Sequence, residues 1–266
     1  MIMPPKSNDI STHAQRLSKT ELDRLVRAVA PVMVFQRGLH LVITIPSEPN
    51  LPLKQYQEKI RKCRLSKKYT WAVQLHCEIE RQYRLGHLFY STFCIQENVV
   101  YAQEGFAVKM IWEKLATIKM KASAEFIEGM KKARQFYKGA CFYWAGGDFN
   151  MAAFMLHQAT ELCLRAVILS MIAEEVRTHT LNELLCHCKR VAPEVSRWFD
   201  GFSRMHPELF LLLDQAYSQV RYTNSFAITG ADVQLLILKI KELHSVVDRL
   251  VQDVLNQYCQ TQTETI

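Results

Sequence analysis

The chain has 266 residues, 49% of them hydrophobic and 22% charged, with a formal net charge of +7. That length admits one or two domains, and that apolar share supports a packed core, which excludes a disordered or fibrous chain. No run has the apolar length of a membrane span, and the first twenty residues lack the apolar stretch of a signal peptide, so neither membrane nor secretory placement is expected.

The charge is uneven. Residues 1–110 hold 16 Lys and Arg against 9 Asp and Glu, whereas the remainder holds 17 of each. The whole excess therefore lies in the first part, which points to two domains. Eight cysteines stand at 63, 77, 94, 141, 163, 186, 188 and 259, with no Cys-x-x-Cys pair. They read as reduced thiols of a cytoplasmic protein rather than a disulfide framework. Cys186-His187-Cys188 offers soft ligands, but neighbours this close rarely reach one tetrahedral ion and no second pair follows. No metal and no cofactor are expected.

In chain order, residues 1–19 read as a loose, polar tail. Thr20–Ala30 is a helix, with Thr20 as its cap and Asp23 three residues on, closed by Pro31. Val32–Phe35 and Leu39–Ile45 are short apolar strands joined by a tight link. Leu53–Leu65 is a helix with a basic face: Lys59, Arg61, Lys62, Arg64, Lys67 and Lys68 crowd together. Such a run is either a solvated face or an attractor for phosphates, which makes nucleic acid a further candidate partner, though aromatic residues do not interleave with it beyond Tyr56 and Tyr69. Tyr69–Cys77 alternates as a strand, Glu78–Gln96 is helical and Val99–Tyr101 is a strand. Residues 20–106 thus form a small α/β unit.

From Ala107 to Lys138 the pattern turns helical, with Ile111, Leu115, Ile118, Ala122, Phe126 and Met130 three and four apart, part linker and part first helix of a second domain. A Gly-Gly-Asp turn precedes the strongest helix, Phe149–Met171, which Asp148 caps. Its stripe is Ala152, Met155, Leu156, Ala159, Cys163, Ala166 and Val167. A second face carries His157, Gln158, Glu161 and Arg165, of which 157, 161 and 165 lie one turn apart. Glu161 and Arg165 are either a solvated pair worth roughly 0.2–0.5 kcal/mol or a partly buried row that serves a ligand or a dimer partner. Further helices run over Leu181–Val191, which ends at a Pro193 break, then Pro207–Tyr222 and about Gly230–Tyr258, leaving 259–266 as a frayed tail.

The run FYWAGGDFNMAAFMLHQATELCLRAVILSM resembles the signature helix pair of HEPN domains. His179-Thr180-Leu181 with Leu184-Leu185 is similar to the start of that family's next helix, and Asp214-Gln215-Ala216-Tyr217 leading to Arg221-Tyr222 to its late helix. The resemblance implies an all-α bundle over residues 107–258 that dimerises. Many HEPN proteins are metal-independent ribonucleases that use an Arg followed shortly by a His. Here Arg221 is present, but residues 226, 227 and 228 are Phe, Ala and Ile, and the nearby His206 and His244 fall outside the spacing. The usual carrier of acid–base chemistry is missing. What the resemblance leaves is binding: His157, Glu161, Arg165, Tyr217, Arg221 and Tyr222 are expected to converge on a nucleotide or anion, or else to form intra-helix pairs at a homodimer seam.

Gly86-His87-Leu88-Phe89-Tyr90-Ser91-Thr92 with Val99-Val100-Tyr101 resembles the end of a minimal nucleotidyltransferase-like domain, a common prokaryotic companion of HEPN domains. Active members hold Mg²⁺ through two carboxylates flanking one residue. At the matching place this chain has Gly38 and His40, so no two-metal phosphoryl-transfer site assembles. The expectation is an α+β two-domain chain, a degenerate nucleotidyltransferase-like α/β unit or another small α/β fold followed by a HEPN bundle. Its expected role is non-catalytic binding of a nucleotide or anionic partner. A pure interaction module and a residual ribonuclease are the alternatives.

Overall fold

The computed structural model describes residues 16–108, 115–223 and 225–256. Expectations for the first fifteen residues, for Ile111 and its neighbours, and for the 259–266 tail with Cys259 lie outside them.

Helix α1 (Lys19–Val29) is capped by Ser18, not Thr20. Ser18 Oγ accepts from the Glu21 N–H at 3.3 Å, and the Glu21 carboxylate accepts from the Ser18 N–H at 3.1 Å. That reciprocal box outcompetes the Thr20/Asp23 spacing because Glu reaches back further than Asp. Leu17 is buried and its N–H donates to Gln36 Oε1 at 2.8 Å, so the end of the stretch expected to be a tail is packed on the fold.

Strands β1 (Met33–Arg37) and β2 (His40–Ile45) form an antiparallel hairpin. Its two-residue turn places Gly38 at φ +56°, a conformation that favours glycine. Helix α2 (Leu53–Lys62) returns the chain to β3 (Thr70–Leu75), parallel to β2, and β4 (Val99–Ala102) closes the other edge, giving the order β3-β2-β1-β4. The two-residue side-chain period sorts the sheet's faces. Val34, Leu41, Ile43 and Ile45 pack with Leu25, Val29, Tyr56 and Ile60 of α1 and α2. Met33, Phe35 and Val42 face α3 (His76–Leu85) and α4 (Leu88–Phe93), through Ile79, Leu88, Phe89 and Phe93. These two helices replace the single helix expected over Glu78–Gln96. Gly86, at φ +72°, ends α3 in a left-handed cap.

Helix α5 (Leu115–Ala145) runs unbroken through the expected linker and first helix. After the Gly146–Gly147 turn comes α6 (Phe149–Ile172), whose cap Asp148 accepts from the Met151 N–H at 3.0 Å. Then follow α7 (Leu181–Val191), α8 (Pro193–Met205), α9 (Pro207–Tyr222) and α10 (Gly230–Asn256). Pro193 does not merely break a helix; it is the first residue of α8, where a missing N–H costs nothing. Helix α6 packs against α5, α7, α9 and α10. Contrary to expectation it is long and apolar enough to cross a membrane, but 67% of that stretch is buried inside the protein, so its hydropathy is that of a central core helix.

One hydrophobic core runs through both parts, from Met33 and Phe35 of the sheet across Phe89 to Leu156, Val167 and Leu236 of the bundle. His40 crosses the seam. Its Nε2 lies 3.1 Å from the Arg190 carbonyl at the end of α7, its Nδ1 lies 2.9 Å from Thr70 Oγ1, and its ring meets Phe93 edge-on.

Candidate functional site

The polar row of α6 is not a solvated face. His157 and Glu161 are buried, and Gln158 and Arg165 are partly exposed. A buried carboxylate is tolerated when charge and hydrogen bonds surround it, and Glu161 has three donors. Arg165 Nη2 reaches it at 2.8 Å, His179 Nδ1 at 3.1 Å and Gln158 Nε2 at 3.1 Å. The same Arg165 nitrogen donates to the Thr178 carbonyl at 2.7 Å. His157 Nε2 donates to the His179 carbonyl at 3.0 Å, while its Nδ1 accepts from Gln158. Burial holds the His157 imidazole below its ordinary range, against the pull of Glu161, so it acts as a neutral strut. Three α6 side chains therefore fasten the irregular segment between α6 and α7 and fix where His179 stands.

Helix α9 supplies the other wall. Asp214 Oδ1 accepts from the Leu181 N–H at 2.8 Å, capping α7 from a distance in place of the Thr180 side chain. One turn on, Tyr217 stacks on His179, with ring centroids 4.0 Å apart and planes 16° from parallel. The Arg221 guanidinium lies 5.0 Å from the Tyr217 ring centroid and 4.9 Å from that of Tyr222. Arg221 is exposed, and Tyr222 is 70% exposed.

The structure thus brings together the six residues singled out from sequence, but on two levels. His157, Glu161 and Arg165 form a lower tier whose polar groups are largely engaged with one another and with the 173–180 segment. Tyr217, Arg221 and Tyr222 form an outer tier open to solvent. His179 joins the two, with its side chain 52% exposed, and sequence reasoning missed it as a site residue. It sits in an irregular segment where periodicity says nothing; the only signal was its place just ahead of α7. The position where a ribonuclease histidine was sought holds buried Phe226, whose carbonyl accepts from Asn150 Nδ2 at 2.9 Å. His244 is buried against Tyr137 on α10.

The basic patch does not join this cluster. Lys59, Arg61, Lys62, Arg64 and Lys67 are exposed and Lys68 is partly so, on α2 and the turn after it. Lys68 Nζ sits 4.9 Å above the Tyr69 ring. The buried side of α2 covers the sheet face opposite α3 and α4. Among the described residues no group of three or more His, Cys, Asp or Glu side chains is placed to hold a metal. Cys186 is exposed while Cys188 is buried, and both nitrogens of His40 are engaged.

Residues 128–250 match the family model of the HEPN domain. No curated protein matches the chain.

Proposed function

With residues 128–250 a HEPN domain, we propose that the bundle binds a nucleotide or a similar phosphate-bearing anion where α6, the 173–180 segment and α9 meet. The observation that carries this is the Arg221 guanidinium held between the rings of Tyr217 and Tyr222. An arginine held in this way has little rotamer freedom left to lose when it forks onto a phosphate. Tyr222, largely exposed, offers a ring on which a base stacks. The Glu161 clamp below keeps His179 and Tyr217 in register. In this reading the bundle also pairs two copies of the chain in a homodimer. The sheet unit is a nucleotidyltransferase-like scaffold without chemistry, and the setting is the cytoplasm, where the cysteines stay reduced.

A second reading has its own observation. Glu161 holds His179 through Nδ1, which leaves Nε2 as the nitrogen for proton transfer, and Arg221 lies on the same Tyr217 side chain. A carboxylate-oriented imidazole beside a guanidinium suits RNA cleavage without metal, the imidazole taking the 2′-OH proton and the guanidinium steadying the phosphorane.

Calorimetric titration with ATP tests the first reading. The wild type binds, and Arg221→Ala weakens binding at least about tenfold, the worth of a charge-assisted contact. A flat wild-type titration would leave an interaction module, and an unchanged variant would move the site elsewhere. Incubation with RNA in chelator tests the second reading: cleavage lost in His179→Ala supports it, and intact RNA with the wild type eliminates it.

A further inference from the structure

A cavity of about 620 Å³ opens at the seam between the sheet unit and the bundle. Its walls are the α3–α4 turn, the first turns of α5 and the end of α6. That volume lies within the range of small-molecule sites. Leu85, Leu88 and Ile118 give it an apolar lining, and Gly86 packs so closely that a Cβ there would lie 3.0 Å from Ile118 Cδ1. Into this lining the sequence sets three nitrogen-bearing side chains, Arg84, His87 and Lys121, and one carboxylate, Glu125.

Two features of these groups call for a ligand. His87 lines the cavity, and its Nδ1, covered in this conformation, has no hydrogen-bond partner within the protein. Arg84 has no ion-pair partner among the described residues, and Lys121 makes only a long, exposed ion pair with Glu125, at 3.9 Å. Burial holds the His87 imidazole below its ordinary range, and Lys121 and Arg81 push the same way, against the weaker pull of Glu78 and Glu174. The ring is therefore neutral, and the positive charge at the cavity is that of Arg84 and Lys121.

We propose that this cavity binds a small organic anion, a carboxylate or phosphate on an apolar body. His87, Lys121 and Arg84 take the charge, and Leu85, Leu88 and Ile118 take the body. The occupant touches α3–α4 on one side and α5–α6 on the other, so it ties the sheet unit to the bundle. The site is separate from the Arg221 face and does not depend on it.

Isothermal calorimetry on the full chain tests the proposal, with octanoate and octyl phosphate as probes and octan-1-ol as the uncharged control. The expected result is one saturable site for at least one of the anions and none for the alcohol. Lys121→Glu is the deciding variant: its side chain is 70% exposed, so the fold is retained, which circular dichroism verifies. It lowers affinity at least about tenfold, the worth of a hydrogen bond to a charged group. The proposal is overturned if neither anion binds saturably, if the alcohol binds as well, or if Lys121→Glu binds like the wild type.

Discussion

Glu161 shows how far residue spacing carries and where it stops. The four-residue interval to Arg165 announces a pair, and the pair exists at 2.8 Å. That it is buried could not be read from α6, because α7, α9 and the 173–180 segment close over it from elsewhere in the chain. Histidines show the same limit. His40, His157 and His244 are all buried and all held neutral. Burial, with Arg37 and Arg197 near His40 and Arg134 near His244, draws the pKa of each of these two from 6.5 to about 4. Between those values the unfolded chain binds protons that the native state refuses. Their contribution is thus complete above about pH 6.5, is lost as pH falls toward 4, and levels off below. Urea unfolding should show a lower midpoint near pH 4.5 than near pH 7. His244→Leu, which removes one such group at similar volume, should narrow that difference; an equal difference in the variant would show that His244 does not titrate this way.

At the scale of elements, the order of helices and strands was largely legible, since periods of two and of three to four separate cleanly here, but α8 was not expected, because Pro193 read as a break rather than as a first residue. The exceptions have local causes. Gly86 splits one expected helix because a left-handed cap competes with a helical pattern that tolerates a glycine. Helix α5 absorbs its linker because nothing in Leu115–Ala145 stops a helix. Packing between elements was not legible. Gly129 of α5 lies so close to α6 that a Cβ there would be 2.6 Å from Ala166 Cβ, whereas a Cβ at Gly139 meets only Met155 Sδ at 3.5 Å. Helix propensity favours alanine by about 1 kcal/mol at both places. Gly129→Ala should nonetheless destabilise by about 1–3 kcal/mol through overpacking, and Gly139→Ala should be neutral or stabilise by up to about 1 kcal/mol. Thermal unfolding of the two variants checks this; equal shifts would mean that α5 and α6 are not so closely apposed.

Over the whole molecule, the sequence suggests two domains by its charge asymmetry, and the structure shows two layers of organisation sharing a continuous apolar core. His40, at the place where metal-holding acids were sought, instead bonds the sheet to the Arg190 carbonyl of the bundle. The basic excess faces outward from the far side of the sheet, on α2, and the outer tier of the candidate site lies on the bundle at α9. The proposed nucleotide site is thus one of two exposed cationic surfaces, the one with aromatic rings beside a held guanidinium. Photo-crosslinking with an azido-ATP, followed by peptide mapping, decides it. The label should fall on the α9 segment carrying Tyr217, Arg221 and Tyr222, and unmodified ATP should compete it away. Competed labelling confined to the α2 peptide, or labelling that ATP does not suppress, would contradict it.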